Sequence, residues 1–204
     1  MAIPQGFNHH PGYLDRRRQE LLLQVVQQVV ADSPFYVPAM PRSGKPLSVR
    51  MTNCGPLGWM TDKAGGYRYQ STHPVTGRPW PPIPDEILAL WHELAAYPAL
   101  PEACLVNQYT GSSRLGSHKD ADEADTSAPV VSVSLGDDAV FHIGGLERTD
   151  PKHRLTLQSG DVVVLAGTSR LAFHGVDRIR AATSDLVAGG GRINLTLRRV
   201  TQPG

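Results

Sequence analysis

The segment Arg192-Ile-Asn-Leu-Thr-Leu-Arg198 decides the fold class, because polar and aliphatic residues alternate along it. Successive side chains of a β-strand point to opposite faces, so the three aliphatic residues enter a core and the four polar residues share the other face. On most strands such a polar face is solvated. In a sandwich that encloses a binding site it points inward instead, where arginine can pair with a carboxylate and asparagine can add a hydrogen bond. The sequence leaves both interpretations open.

Further strand-like segments surround this one in the second half of the chain, separated by turns rich in Gly, Asp and Ser. Many short strands at close spacing are typical of a double-sheet β-sandwich or jelly roll. We therefore predict an α+β protein, mainly β, with helices packed outside the sheets. The predicted strands cover residues 103–109, 129–135, 139–143, 154–157, 161–165, 171–176 and 192–200.

Two amphipathic helices are predicted in the first half of the chain. The first covers residues 15–31, where apolar residues recur at helical spacing behind Asp15, a favourable N-cap. The second covers residues 84–96 and carries an apolar stripe. We assign Trp91 of this stripe to packing and His92 to the surface.

Residues 35–84, between the two helices, are rich in Pro, Gly and aromatic residues. Two short strands are predicted within them, at residues 47–52 and 67–69. Long irregular segments of this kind often act as lids or binding loops. We expect this segment to lie at the surface, in such a role.

Composition and charge are those of an ordinary globular protein. The 204 residues are 40% hydrophobic and 19% charged, with a formal net charge of +1, so binding to a polyanion would depend on a local patch and not on the overall field. The sequence has no apolar run of about 18 residues and no signal peptide, and we expect a cytoplasmic protein with no membrane partner. Cys54 and Cys104 are expected to be reduced and buried, and a disulfide between them is the alternative.

Two histidines and one carboxylate form a candidate metal site. His118 and Asp120 are two residues apart, so on a strand they point to the same side, and His174 lies further along the chain. Two histidines and a carboxylate on one face of the metal are the ligand set of non-haem Fe(II) oxygenases. The alternative for His174 is a hydrogen-bonded core histidine. Arg192 and Arg198 suit a dicarboxylate, but about 20 Å of strand separates them, so one of them could support the metal ligands instead.

These motifs occur together with others in an order that closely resembles the AlkB family, the Fe(II)- and 2-oxoglutarate-dependent dioxygenases that repair alkylated bases after DNA damage. The resemblance runs from about residue 34 to residue 199, and the Asn-Cys-Gly-x-Leu-Gly-Trp pattern at 53–59 is similar to the bacterial repair branch. It rests on residues 51–59, 107–109, 118–123, 129–136, 144–151, 159–164, 169–174 and 192–198.

The resemblance implies a double-stranded β-helix, which is a form of jelly roll, with an N-terminal nucleotide-recognition lid. It implies an extension over residues 1–14, helices and lid over 15–100, and a catalytic core over 101–204, all in one integrated domain. His118, Asp120 and His174 would bind Fe(II). By the same resemblance 2-oxoglutarate would be bound through its far carboxylate by Arg192, with help from Asn107, Tyr109 and Asn194, and Arg198 would lie nearer the metal.

The implied reaction is the oxidative demethylation of N-methylated bases such as 1-methyladenine and 3-methylcytosine, coupled to conversion of 2-oxoglutarate and O2 to succinate and CO2, with release of formaldehyde. The expected partner is alkylated DNA, preferably single-stranded, or RNA, and the chain is expected to act as a monomer. Trp59 would stack on the flipped base opposite the ring of His174, although a packing role is the alternative. The other candidate substrate-binding residues are Lys45, Tyr67, Tyr69, Asp122 and Arg148.

Two other functions stay open. A 2-oxoglutarate oxygenase acting on tRNA, protein or a small molecule would share every cofactor residue and differ only in the lid. A non-catalytic β-sandwich that keeps a metal site is the third hypothesis, but it has no need of two arginines beside the metal. The sequence departs from the family pattern at Gly65-Gly66 and at Lys45, where a tyrosine is expected, and these changes affect substrate preference more than the reaction.

Overall fold

The structure, a computed structural model, describes residues 3–203, so Met1, Ala2 and Gly204 of the predicted segments 1–14 and 101–204 lie outside it. Two antiparallel sheets and a separate hairpin make up its β structure. The larger sheet contains, in spatial order, β1 (Phe7–His10), β10 (Val162–Leu165), β7 (Val130–Gly136), β12 (Arg192–Arg198), β5 (Ala103–Tyr109) and β2 (Arg50–Cys54). The smaller sheet contains β6 (Leu115–His118), β11 (His174–Arg180), β8 (Asp138–Ile143) and β9 (His153–Leu157), and the hairpin contains β3 (Gly58–Asp62) and β4 (Gly66–Gln70).

Strand β12 lies in the middle of the larger sheet and pairs along its whole length with β7 and β5. All seven of its residues are buried. Its polar face therefore points inward, toward the space between the sheets, and the interpretation as a solvated face is wrong. The mainly β jelly-roll architecture agrees with the sequence-based prediction.

The aliphatic face of β12 packs against the two helices, α1 (Arg16–Asp32) and α2 (Asp85–Leu94). A backbone N–H of α1 donates to the Asp15 side chain, as expected of an N-cap. Trp91 is 1% exposed and packs in this core, whereas His92 is exposed, so both assignments are confirmed. A second apolar cluster fills the space between the sheets and surrounds the inward polar face of β12.

The N-terminal segment contributes a strand that the sequence did not indicate. Phe7–His10 forms the edge of the larger sheet by pairing with β10, and the His9 Nε2 atom lies 2.9 Å from an Asp161 carboxylate oxygen. Because Asn8, His9 and His10 show no apolar alternation, only the partner strand reveals this element. Leu14 follows it into the core and is 1% exposed.

Several predicted boundaries were wrong. The strand predicted at 171–176 begins only at His174, because Gly167–Leu171 forms a 3-10 helix, and it continues to Arg180. Strands β3 and β6 were not predicted, since both are short and mix glycine with polar residues. Cys54 and Cys104 are register partners on β2 and β5, and both are free and buried. Within residues 3–203, no helix is long and apolar enough to cross a membrane.

Candidate active site

The three predicted metal ligands meet between the two sheets. His118 ends β6, His174 begins β11, and these two residues are register partners. Asp120 follows β6, and the ligand atoms of all three residues lie within 4.8 Å of one another. The His118 Nε2 atom is 3.7 Å and the His174 Nε2 atom 3.8 Å from the carboxylate oxygens of Asp120. One ion can therefore reach all three.

Hydrogen bonds fix both imidazole rings in the form that binds a metal. Nδ1 of His118 lies 2.9 Å from the Gly116 carbonyl oxygen, and Nδ1 of His174 lies 3.0 Å from that of Ala172. Because a carbonyl can only accept, Nδ1 carries the proton and the lone pair of Nε2 faces Asp120. Burial lowers the pKa of His174 to about 4, and His118 adds to this effect. The ring of His174 is thus neutral and ready to coordinate.

The carboxylate of Asp120 is ionised and only partly paired. Burial alone would raise its pKa, but Arg198 and the two histidines outweigh burial and hold the pKa of Asp120 below its ordinary value. Nη2 of Arg198 donates to Oδ1 at 2.8 Å, while Oδ2 is buried and accepts no hydrogen bond from the residues that the structure describes. A buried anionic oxygen without a partner is unfavourable unless a cation binds it. The site therefore fits a metal ion, and Arg198 supports a metal ligand, which was one of the two options for this residue.

Arg170, which the sequence analysis missed, holds the metal-binding loop from behind. It is 1% exposed, and Nη1 donates to the Asp120 carbonyl oxygen at 2.6 Å while Nη2 pairs with Glu123 at 3.1 Å. The 3-10 helix that carries Arg170 ends just before His174. One buried side chain therefore ties the loop of Asp120 to the segment that leads into the third ligand. No sequence motif indicated that this arginine is buried.

A cavity of about 590 Å³ extends from the metal ligands along the inward face of β12. The predicted co-substrate residues Asn107, Tyr109, Arg192, Asn194 and Arg198 all line it. Ser132 and Thr196 also line it and were not predicted as site residues. Thr196 lies on the polar face that the alternation of β12 revealed, so that pattern could have identified it.

The part of this cavity around Arg192, away from the metal ligands, fits a carboxylate. Arg192 is 2% exposed and lies against the Tyr109 ring, with its guanidinium carbon 5.3 Å from the ring centroid. Nη2 donates to the Ser134 hydroxyl oxygen at 2.9 Å, while Nε and Nη1 form no hydrogen bond with any of residues 3–203. Burial lowers the pKa of Arg192 but leaves it a cation, because an arginine starts from such a high value. A buried guanidinium cation that lines a cavity and has N–H groups left to donate suits a carboxylate.

Comparison with known proteins identifies the family. The family model described as the 2OG-Fe(II) oxygenase superfamily matches residues 6–198. The Alpha-ketoglutarate-dependent dioxygenase AlkB homolog of Caulobacter vibrioides is 52% identical over 201 residues, which cover 98% of this chain and 90% of the relative. This chain belongs to the AlkB family.

Other AlkB proteins agree with this assignment. The Alpha-ketoglutarate-dependent dioxygenase AlkB of Escherichia coli is 44% identical over 184 residues, covering 88% of this chain and 84% of the relative. The solved structure of OsALKBH1 has a TM-score of 0.79 at 33% sequence identity and covers 98% of this chain and 100% of that chain. The protein is therefore an Fe(II)- and 2-oxoglutarate-dependent dioxygenase, and iron, 2-oxoglutarate and O2 are its cofactor and co-substrates.

The AlkB-like segment 53–59 positions Trp59 at the mouth of the cavity. The side chain of Asn53 accepts a hydrogen bond from the Trp59 N–H at 3.1 Å and donates to the Trp59 carbonyl at 3.0 Å. Gly55 has φ +121°, and a Cβ there would lie 2.4 Å from the Glu102 carbonyl oxygen. A Cβ on Gly58 would lie 2.5 Å from the Trp80 ring. Only glycine fits at these two positions, which explains the spacing of the motif.

The other predicted substrate-binding residues divide into two groups. Tyr67, Asp122 and Arg148 line the same cavity as Trp59, and the rings of Trp59 and Tyr67 stack at 5.9 Å. Tyr69 does not line the cavity, because its hydroxyl donates to Glu123. Lys45 is exposed on a loop and is likewise absent from the lining of the cavity. The sequence alternation could not separate Tyr67 from Tyr69, since the depth of each side chain depends on what packs against the hairpin.

Proposed function

We propose that this AlkB-family enzyme oxidatively demethylates alkylated nucleic-acid bases, and specifically 1-methyladenine and 3-methylcytosine in single-stranded DNA, with RNA as the alternative polymer. One observation carries the proposal. The cavity whose floor holds His118, Asp120 and His174 has an aromatic ring and an exposed carboxylate, Trp59 and Asp122, at its mouth. A flat apolar face and an anion are what a flipped, positively charged methylated base requires.

The protein's part in the reaction is to bind and orient. Bound Fe(II), 2-oxoglutarate and O2 supply the oxidation, in which 2-oxoglutarate becomes succinate and CO2 and the oxidised methyl group leaves as formaldehyde. His118, Asp120 and His174 would hold the metal. The free donors of Arg192 would bind the distal carboxylate, with Asn107, Tyr109 and Asn194 beside it. Because these groups are buried, they act in a site from which bulk water is excluded.

The exposed fractions of the two histidine side chains favour His118, and not His174 as we first expected, as the second ring that stacks on the base. His174 is 9% exposed at its side chain, whereas His118 is 33% exposed. We therefore assign the ring opposite Trp59 to His118 and not to His174. Stacking of a base on an aromatic side chain contributes about 1–3 kcal/mol. This contribution offsets part of the free energy needed to extrude the base, which is smallest for a lesion that cannot pair or lies in a single strand.

We infer that residues 15–100 serve as helices and recognition lid, and residues 101–204 as the catalytic core, in one integrated domain. Pairing of β2 from the first part with β5 from the second supports this integration. Tyr67 of the lid and Arg148 of the core, both at the cavity mouth, would contact the flipped nucleotide, and Lys45 of the lid would bind a backbone phosphate farther out. Tyr69 would act through its hydrogen bond to Glu123. The proposed state is a monomer, and a DNA substrate supports action in the cytoplasm.

Mass spectrometry of a single-stranded oligonucleotide with one 1-methyladenine tests the proposal. The oligonucleotide is incubated in air with the protein, Fe(II), ascorbate and 2-oxoglutarate. We expect it to lose the mass of one methylene group only when both iron and 2-oxoglutarate are present. An unchanged mass with slow consumption of 2-oxoglutarate would contradict the substrate and favour another acceptor at the same cofactor site.

The Trp59→Ala variant separates recognition from chemistry. We expect it to bind the methylated oligonucleotide about tenfold or more weakly, because stacking is lost. Decarboxylation of 2-oxoglutarate without substrate should continue, since within residues 3–203 no hydrogen bond joins Trp59 to His118, Asp120 or His174. Loss of both activities together would show that Trp59 has a packing role.

A further inference from the structure

The indole of Trp59 forms a hydrogen bond with the carboxylate that faces the proposed base site. Nε1 of Trp59 donates to Oδ2 of Asp122 at 2.7 Å. This bond joins the β3–β4 hairpin to the loop that follows β6. Both side chains line the mouth of the cavity.

Trp59 is fixed from its own side of the cavity without help from Asp122. Asn53 holds its backbone N–H and carbonyl, and the Tyr36 hydroxyl also donates to that carbonyl at 3.4 Å. Its ring stacks on Tyr67 with an angle of 24° between the planes. The direction of the indole N–H is therefore set by the hairpin.

Asp122, in contrast, depends on Trp59 for its orientation. It is exposed, and within residues 3–203 its carboxylate makes no other hydrogen bond and no ion pair. A side chain on an exposed loop otherwise samples several rotamers. Because Oδ2 accepts the indole N–H, Oδ1 is the oxygen left to accept a hydrogen bond from a ligand in the cavity.

A carboxylate oxygen in a fixed position distinguishes bases by their exocyclic group. At purine C6 and pyrimidine C4, adenine and cytosine carry an exocyclic amine, which donates, whereas guanine and thymine carry a carbonyl oxygen, which accepts. An ionised carboxylate can only accept. An amine therefore forms a hydrogen bond with Oδ1, whereas a carbonyl meets an oxygen of like charge and leaves both groups unpaired.

We propose that the Trp59 indole N–H orients Asp122 and thereby makes the enzyme select methylated bases that carry an amine, and not a carbonyl oxygen, at purine C6 or pyrimidine C4. Trp59 is thus a positioning residue for specificity as well as a stacking surface. This inference rests on the proposed action on alkylated bases. It adds that stacking and selection depend on different parts of the same side chain, the ring face and the N–H.

The first test compares 3-methylcytosine with 3-methylthymine in the same single-stranded oligonucleotide. These bases have an amine and a carbonyl, respectively, at the same ring position. Trp59→Phe keeps an aromatic ring and the charge of Asp122 but removes the N–H and part of the ring area. The smaller ring weakens stacking with both bases, so a change in the ratio of the two substrates reports the lost N–H. We expect the ratio of kcat/KM for 3-methylcytosine to that for 3-methylthymine to fall roughly tenfold, the effect of one hydrogen bond to a charged group.

Trp80→Phe is the matched control. Trp80 also carries an indole N–H in this part of the chain, but its Nε1 donates to the Gln70 carbonyl and not to Asp122. The same substitution there should leave the ratio of the two substrates at its wild-type value, whatever happens to the absolute rates. An equal fall of the ratio in both variants would overturn the inference.

Asp122→Asn provides a second test that does not alter Trp59. The amide oxygen would accept the indole N–H, so the amide nitrogen would face the base and donate. We expect this variant to prefer 3-methylthymine to 3-methylcytosine. In the Trp59→Phe/Asp122→Asn double variant the amide is free to turn, and the preference should disappear.

The outcomes separate this inference from the function on which it depends. If the wild-type protein demethylates neither oligonucleotide, the proposed function fails and the inference fails with it. If the wild type acts on 3-methylcytosine but Trp59→Phe lowers both rates equally, Trp59 acts by stacking alone and only the inference fails. A double variant with the same preference as Asp122→Asn would also overturn it.

Discussion

Arg192 and Arg198 occupy the two ends of the same strand face but have different roles. Nη2 of Arg198 pairs with the metal ligand Asp120, whereas Arg192 keeps two unpartnered donors in the cavity. The alternation of β12 predicted that both side chains share a face. It could not predict which arginine pairs with a carboxylate of the protein, because Asp120 comes from a different part of the chain.

Replacement of Arg192 by lysine should weaken binding of 2-oxoglutarate. Lysine retains the charge but loses the planar fork that matches a carboxylate. We expect the KM for 2-oxoglutarate to rise about tenfold or more, with metal affinity unchanged, as measured by substrate titration and by metal binding in the absence of 2-oxoglutarate. Arg178→Lys, at an exposed position on β11, is the control. A normal KM in Arg192→Lys would contradict the assignment.

Asp120→Ala should abolish turnover and also destabilise the fold. From sequence alone one expects only a lost metal ligand, but the variant removes the nearer of the two carboxylates that pair with the buried Arg198, Asp120 at 2.8 Å, and leaves Glu123 at 3.6 Å. Breaking a buried ion pair by removing one partner costs about 3–5 kcal/mol. Urea unfolding of the metal-free protein measures this loss. Asp122→Ala, an exposed residue two positions later, should change the free energy of unfolding by less than about 0.5 kcal/mol.

At the scale of elements, the long and regular segments could be predicted, whereas the short strand that carries His118 could not. Both helices and strands β5, β7, β8 and β12 follow their hydrophobic patterns. Strand β6 does not, because its sequence Leu-Gly-Ser-His is too short and polar to show a period. It exists because its backbone pairs with β11. The predicted ligands His118 and Asp120 were thus right while the element that positions them was missed.

Gly55→Ala tests how tightly the turn between β2 and β3 is packed. Gly55 has φ +121°, and a new methyl group would lie 2.4 Å from the backbone oxygen of Glu102. We expect the free energy of unfolding to fall by about 1–3 kcal/mol, since both strain and a clash with backbone result. Chemical denaturation measures the effect. Gly111→Ala has open space around it and an ordinary φ, and it should be close to neutral.

For the whole molecule, the free energy of unfolding should increase when a metal ion and 2-oxoglutarate bind in the site. Asp120 Oδ2 and the Arg192 atoms Nε and Nη1 are buried and have no hydrogen-bond partner among residues 3–203, so a bound metal ion and a bound carboxylate would supply their partners. Ligands that bind only the folded state stabilise it by about 2.7 kcal/mol at 100 times Kd. We expect Mn(II), as a metal that does not turn over, to raise the midpoint of thermal unfolding, and 2-oxoglutarate to raise it further. An unchanged midpoint in the wild type, or an equal rise in Asp120→Asn, would contradict the metal assignment.

The central position of β12 also has a consequence for biosynthesis. Strands β7 and β5 leave the ribosome well before the strand that separates them, so each lacks its native neighbour on one side until residues up to 198 have been made. Strand β1, made first, must likewise wait for β10. The unpaired edges are open to aggregation during this interval. A nascent chain interrupted before residue 192 lacks both arginines of the site and the middle of its sheet, so translation pauses in the preceding loop should be where this protein most needs a chaperone.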